Sequence, residues 1–143
     1  MTQEKDVQAL LDRYQQAIDS KDASATIECY ADDVVAYDLA PPLAQEADVV
    51  LDAKQLQEWF DTWDGPLESA ERDAVFRVEG NVAYTYALRQ MRGTKSGGER
   101  VELWFRSTTI CTRVDGAWKI AHVHNSTPFA MDGSGKALLH LSP

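Results

Sequence analysis

The sequence predicts an α+β fold built as a single domain of 143 residues. Three observations carry that prediction. Helical periodicity dominates the first third, interrupted by one short strand pattern. From residue 68 to residue 127 the chain reads as strands, separated by Gly80-Asn81, a Gly/Ser loop at 93–98 and Asp115-Gly116. Helices gathered ahead of a strand meander, instead of alternating with strands, belong on one face of an antiparallel sheet. An apolar content of 44% supplies material for one core.

Each element has its own local reason. Over residues 3–19, Val7, Leu10, Leu11, Tyr14, Ala17 and Ile18 recur at three- and four-residue steps, which predicts an amphipathic helix with Tyr14 on its buried side. Asp22 is placed to cap a short second helix reaching about Tyr30. Val34 to Leu39 alternates Val35, Tyr37 and Leu39 against Val34, Ala36 and Asp38, and Pro41-Pro42 ends that strand. Residues 43–51 give no firm signal. Asp52 and Gln55 resemble a capping pair for a third helix, whose face would carry Leu56, Trp59, Phe60 and Trp63 until Gly65-Pro66 breaks it. Strands are then expected at 68–79, 82–92, 99–114 and 117–127, the last two joined by an Asp-Gly dipeptide suited to a tight hairpin turn. The segment 130–143, with its Gly133-Ser134-Gly135 hinge, reads as a mobile or interface tail of the same domain.

Composition excludes several classes of function. A net charge of −9 and no Lys/Arg run argue against nucleic acid or anionic membrane as partners. The start, MTQEKDVQALLDRY, has no leader pattern and no stretch approaches a bilayer span, so a cytoplasmic protein is expected. Cys29 and Cys111 lack a Cys-x-x-Cys partner and read as reduced, buried thiols.

Trp118, Ile120, His122, His124 and Ser126 follow each other at two-residue spacing, which would put all five on one strand face. Such a stripe can supply two metal ligands completed by Asp38 or Glu102, a pH-sensitive proton donor, or a packed sheet face at an interface. Trp59, Phe60 and Trp63 would form an apolar wall or ordinary core, Tyr84 and Tyr86 would offer hydroxyls, and Arg106 needs a carboxylate partner.

The stretches LLDRYQQAIDSKDASATIECYADDVVAYDLAPPL and RSTTICTRVDGAWKIAHVHNSTPF resemble the nuclear transport factor 2-like superfamily, which includes ketosteroid isomerases and SnoaL-like polyketide cyclases. The resemblance implies a cone of three N-terminal helices on a curved antiparallel sheet, a homodimer formed through the sheet, and a pocket for a small, mostly apolar molecule bearing a carbonyl or carboxylate. It aligns Tyr14 with the oxyanion tyrosine of ketosteroid isomerases and Asp38 with their proton-abstracting base. Asp38 sits among small apolar residues, where desolvation would raise its pKa; placed before Leu39-Ala40-Pro41-Pro42, it can instead cap a turn through its own side chain. The third residue of that set, an acid, falls at about Thr109 or Ile110 and is absent. The family is generally metal-free, so no metal or cofactor is expected. The ending is also similar to the association domain of calcium/calmodulin-dependent protein kinase II, a non-catalytic assembly module. Its parity places Asn125, with Lys119, Ala121 and Val123, on the pocket face and turns His122 and His124 toward an interface. The expected site is therefore Tyr14 and Asp38 for chemistry, with Trp59, Trp63, Tyr86, Arg106, Asn125 and His124 as ligand contacts.

Overall fold

The computed structural model describes residues 2–143. An 18-residue helix, α1 (Thr2–Asp19), is followed by α2 (Ala23–Glu28), β1 (Tyr30–Tyr37), the one-turn α3 (Ala47–Val50) and α4 (Ala53–Phe60). Four long strands complete the chain: β2 (Trp63–Glu79), β3 (Val82–Lys95), β4 (Arg100–Val114) and β5 (Ala117–Ser126). The expected caps are in place. Asp22 accepts from the Ala25 amide at 3.0 Å and Asp52 from the Gln55 amide at 3.2 Å, each satisfying a free N–H of a first turn. Asp115 and Gly116 take φ of 52° and 80°, as a two-residue hairpin that follows the strand twist requires.

The five strands run in the order β1-β5-β4-β3-β2. β1 pairs parallel to β5, so the sheet is mixed, whereas the four later strands form the expected antiparallel meander. β2 begins at Trp63 and continues through Gly65-Pro66, with irregular register between Asp64 and Glu68. The break expected there is a distortion at the start of a strand, so Trp63 belongs to the sheet, not to α4. No described helix is long and apolar enough to cross a membrane.

The core lies between α1 and the inner sheet face, where Val7 and Leu10 meet Ala83, Cys111, Trp118 and Ile120. Ala83, Thr85 and Ala87 on β3 are all buried. A second cluster, Ala23, Phe60, Trp63 and Leu67, closes the far end. There Gly93 is a packing requirement: a Cβ on it would stand 2.8 Å from a Trp63 ring carbon and 2.9 Å from Leu67 Cδ2. Cys29 and Cys111 are free and buried. They flank Ile120 from opposite sides, since Ile120 pairs with Cys111 and donates its amide to Cys29 O. Two strand spacings, on the order of 10 Å, separate their backbones, too far for a disulfide. The tail folds back on itself through bonds from the Ala130 amide to Lys136 O and from the Leu138 amide to Pro128 O.

Candidate functional site

One residue decides which side chains of β5 meet the core. His122 pairs with Ile110 and Ile120 with Cys111, leaving Ala121 without a partner. A single extra residue reverses the alternation beyond it. Trp118 and Ile120 therefore point inward ahead of the bulge, and Val123 and Asn125 after it. The five-residue stripe expected on one face is divided, and His122, His124 and Ser126 lie on the outer face. Lys119 and Ala121 do not share the inner parity of Val123 and Asn125, which corrects that part of the expected pocket face.

On the inner face, rows of paired residues converge near Tyr14. Thr85 pairs with Thr109, Thr109 with Val123, and Val123 with Ala36; one row on, Ala87 pairs with Ser107 and Ser107 with Asn125. Asp38 follows β1 on this side, and its Oδ1 accepts from Asn125 Nδ2 at 3.3 Å and from the Leu39 amide at 2.7 Å. Both bonds fall on Oδ1. The carboxylate orients the Asn125 amide, since its other face would set two acceptors against each other. Asn125 Oδ1 is buried without a protein partner. Asp38 itself is exposed, so the desolvated environment expected for it is not present in the free protein.

Tyr14, from the middle of α1, meets Tyr30, from the first residue of β1. Their hydroxyls are 2.8 Å apart and their rings pack edge to face at 5.5 Å. Whichever phenol donates within the pair, the other keeps a proton for a third group. Burial first, then the proximity of Tyr30 and Asp38, pushes the Tyr14 phenol well above its ordinary value, and the Arg89 charge pulls against this. Tyr30 is pushed up to about 12, again chiefly by burial. Both phenols are therefore protonated donors at neutral pH.

Sequence reasoning missed Arg89. It continues the inner alternation Ala83, Thr85, Ala87, its side chain is 19% exposed, and its Nη2 lies 2.7 Å from Glu71 Oε2. Nη1 donates to Gln15 Oε1 at 3.4 Å, one residue from Tyr14 along α1. The available signal was parity with the small residues of β3.

Three expected ligand contacts sit on the opposite side of the sheet. Tyr86 pairs with Thr108, Thr108 with His124, and His124 with Tyr37, forming one outer row, and Arg106 bonds Ser126 beside it at 3.2 Å. Tyr86, Arg106 and His124 are thus separated from Tyr14 and Asp38 by the sheet itself. At the far end of the interior, Trp63 is buried and Trp59 is partly exposed; Lys95 Nζ stands 3.9 Å from the Trp63 ring centroid. Among the described residues, no group of three His, Cys, Asp or Glu side chains is arranged to hold a metal ion. Two open clefts of about 370 and 300 Å³ flank Arg13 and Lys119 where α1 meets α2 and the start of β5, and neither is lined by Tyr14, Asp38 or Asn125.

The curved, unclosed mixed sheet with few helices matches the cone of the nuclear transport factor 2-like class. Residues 7–130 match the SnoaL-like domain, and the chain belongs to that family. Similar solved structures agree. A nuclear transport factor 2-like protein of unknown function from Pseudomonas putida is 26% identical, with a TM-score of 0.85 over 99% of this chain and 97% of that one. A ketosteroid isomerase-like protein from Erwinia carotovora is 19% identical, TM-score 0.70, covering 86% and 94%. The association domain of calcium/calmodulin-dependent protein kinase II from C. elegans is 16% identical, TM-score 0.65, covering 88% and 96%. No match was found among curated proteins.

Proposed function

We propose that this chain binds a small, mostly apolar carbonyl compound on its inner sheet face and moves a proton beside the carbonyl without a cofactor, as an isomerase or cyclase does. The observation that carries this reading is the protonated Tyr14–Tyr30 pair, set among buried small residues with Asp38 close enough to influence both phenols. The carbonyl oxygen accepts from Tyr14, which Tyr30 backs. Asp38 Oδ2, free of the bonds that hold Oδ1, takes the proton from the adjacent carbon. Electrons of the broken C–H bond flow onto the carbonyl oxygen, where the phenols stabilise the enolate. Asp38 then returns the proton to the same or a neighbouring carbon. An apolar ligand seated over Asp38 excludes the water that now reaches it, supplying on binding the desolvation that the free site lacks. Cytoplasmic placement with reduced thiols fits this reading.

Deuterium uptake from D2O into simple enolisable ketones, followed by NMR, tests it. Asp38→Asn is expected to reduce uptake at least a hundredfold, and equal rates for both proteins would remove Asp38 from the mechanism.

A specific observation favours a second reading, a binding or assembly domain without catalysis. Asp38 already holds the turn at Leu39, and the outer face exposes Tyr37, Tyr84 and Tyr86, which are 42%, 40% and 48% accessible. The aromatic rows suit a second copy of the chain packed sheet to sheet, so a homodimer is proposed under either reading.

A further inference from the structure

We propose that Arg89 is the specificity-determining residue of the inner site: it selects ligands that carry a carboxylate in addition to the carbonyl, and Glu71 occupies it when no ligand is bound. The proposal rests on the proton-transfer reading above and narrows its substrate class to oxo acids.

Three observations support it. First, Arg89 lies in the middle of the inner face, in the same alternation as Thr85 and Ala87, and Gln15 ties it to the helical turn that carries Tyr14. Arg113, also on an inward parity, sits at the exposed end of β4 and is held by Asn81. Second, the guanidinium is mostly buried at 19% exposure, yet its carboxylate partner is 44% exposed. A guanidinium fork can take a carboxylate on two nitrogens; here Nη2 lies 2.7 Å from Glu71 Oε2, while Nη1 makes a long contact of 3.4 Å to a neutral amide. Glu71 on the cross-strand position can rotate into solvent without uncovering core, so a ligand carboxylate can replace it with little loss of packing. Third, the Arg89 guanidinium is bonded to Gln15, the helix neighbour of Tyr14, and its charge opposes the upward shift of the Tyr14 phenol. A carboxylate on Arg89, a carbonyl oxygen on the phenols and the intervening carbon toward Asp38 then fix a ligand at three points. The carboxylates of Glu71 and Asp19 on this side of the sheet disfavour an anion away from Arg89. Asp19 is engaged by Ser69 at 2.8 Å and by Gln15 at 3.0 Å.

The probe pair is 4-oxo-4-phenylbutanoate and its methyl ester, which share the ketone and ring and differ by one charge. Binding is read by calorimetry and proton exchange by NMR in D2O. The wild type is expected to bind the acid roughly tenfold more tightly than the ester, as a charge-assisted pair provides. Glu71→Gln removes the competing carboxylate, so the acid-to-ester ratio rises further. Arg89→Gln abolishes the ratio, and thermal melting confirms that this variant folds. If Glu71 and Arg89 form only a structural cross-strand pair, acid and ester bind alike and Glu71→Gln leaves their ratio unchanged. That result overturns the specificity proposal while ester exchange dependent on Asp38 keeps the proton-transfer reading. No exchange of either compound overturns both.

Discussion

Removing the Tyr14 hydroxyl should cost more than removing both hydroxyls would suggest. In Tyr14→Phe, the Tyr30 hydroxyl loses a 2.8 Å partner in a setting where burial already dominates its chemistry. Leaving a part-buried hydroxyl unsatisfied costs up to about 1–3 kcal/mol, and Tyr30→Phe strands Tyr14 in the same way. The double variant strands neither, while the edge-to-face ring contact at 5.5 Å survives in all three proteins. The two single losses should therefore exceed the double loss, summed, by about 1–2 kcal/mol. Urea unfolding of the four proteins measures this. Tyrosinate absorbance adds a directional check: Tyr14 bonding holds Tyr30 lower than burial alone would, so Tyr14→Phe should move the Tyr30 titration to still higher pH. Strict additivity, or a Tyr30 titration that moves down, would refute the coupled pair on which the donor site depends.

Other consequences follow from the same structure. Cys111 and Tyr30 are each pushed up to about 12 from ordinary values of 9 and 10, chiefly by burial, so both bind their protons more tightly folded than unfolded. Their contribution is complete below about pH 9 and is lost as pH rises toward 12. On the order of 4 kcal/mol is at stake for Cys111, and urea midpoints measured from pH 8 to 12 should fall more gently in Cys111→Ala. Gly93→Ala forces a methyl into the Trp63 ring and should destabilise by about 1–3 kcal/mol in thermal or urea unfolding; an unchanged midpoint would mean that this end of the core yields easily. Tyr86→Glu puts a charge in the middle of the outer aromatic rows and should halve the mass seen by light scattering; a retained dimer would move the interface off this face.

Much of the architecture was legible in the sequence because it rests on local rules. Asp22 and Asp52 cap the helices they precede, Asp115-Gly116 turns where two positive φ angles are needed, and the strand boundaries follow the turn residues. The site was legible only in part. Tyr14, Asp38 and Asn125 lie on one side of the sheet, while the roles assigned to them rest on the resemblance. The two-residue spacing from Trp118 to Ser126 concealed the unpaired Ala121, and a bulge leaves little trace in alternation when every flanking residue is large or polar. The same difficulty misplaced Tyr86 and Arg106. On β3 tyrosines alternate with Ala83, Thr85 and Ala87, and the small side is the buried one; on β4 Ser107 and Thr109 are buried and Arg106 faces out. Arg89 followed from that parity once the inner side was identified. The pairing of Tyr30 with Tyr14 needed the β1 register, which begins four residues before the strand that hydrophobic alternation marked.

Ligand is proposed to bind on the inner sheet face. Amide and side-chain NMR shifts during titration with 4-oxo-4-phenylbutanoate test it most directly. The largest changes are expected at Tyr14, Tyr30, Asp38, Arg89 and Asn125. Changes concentrated at Arg13 and Lys119, around the two open clefts, would contradict it.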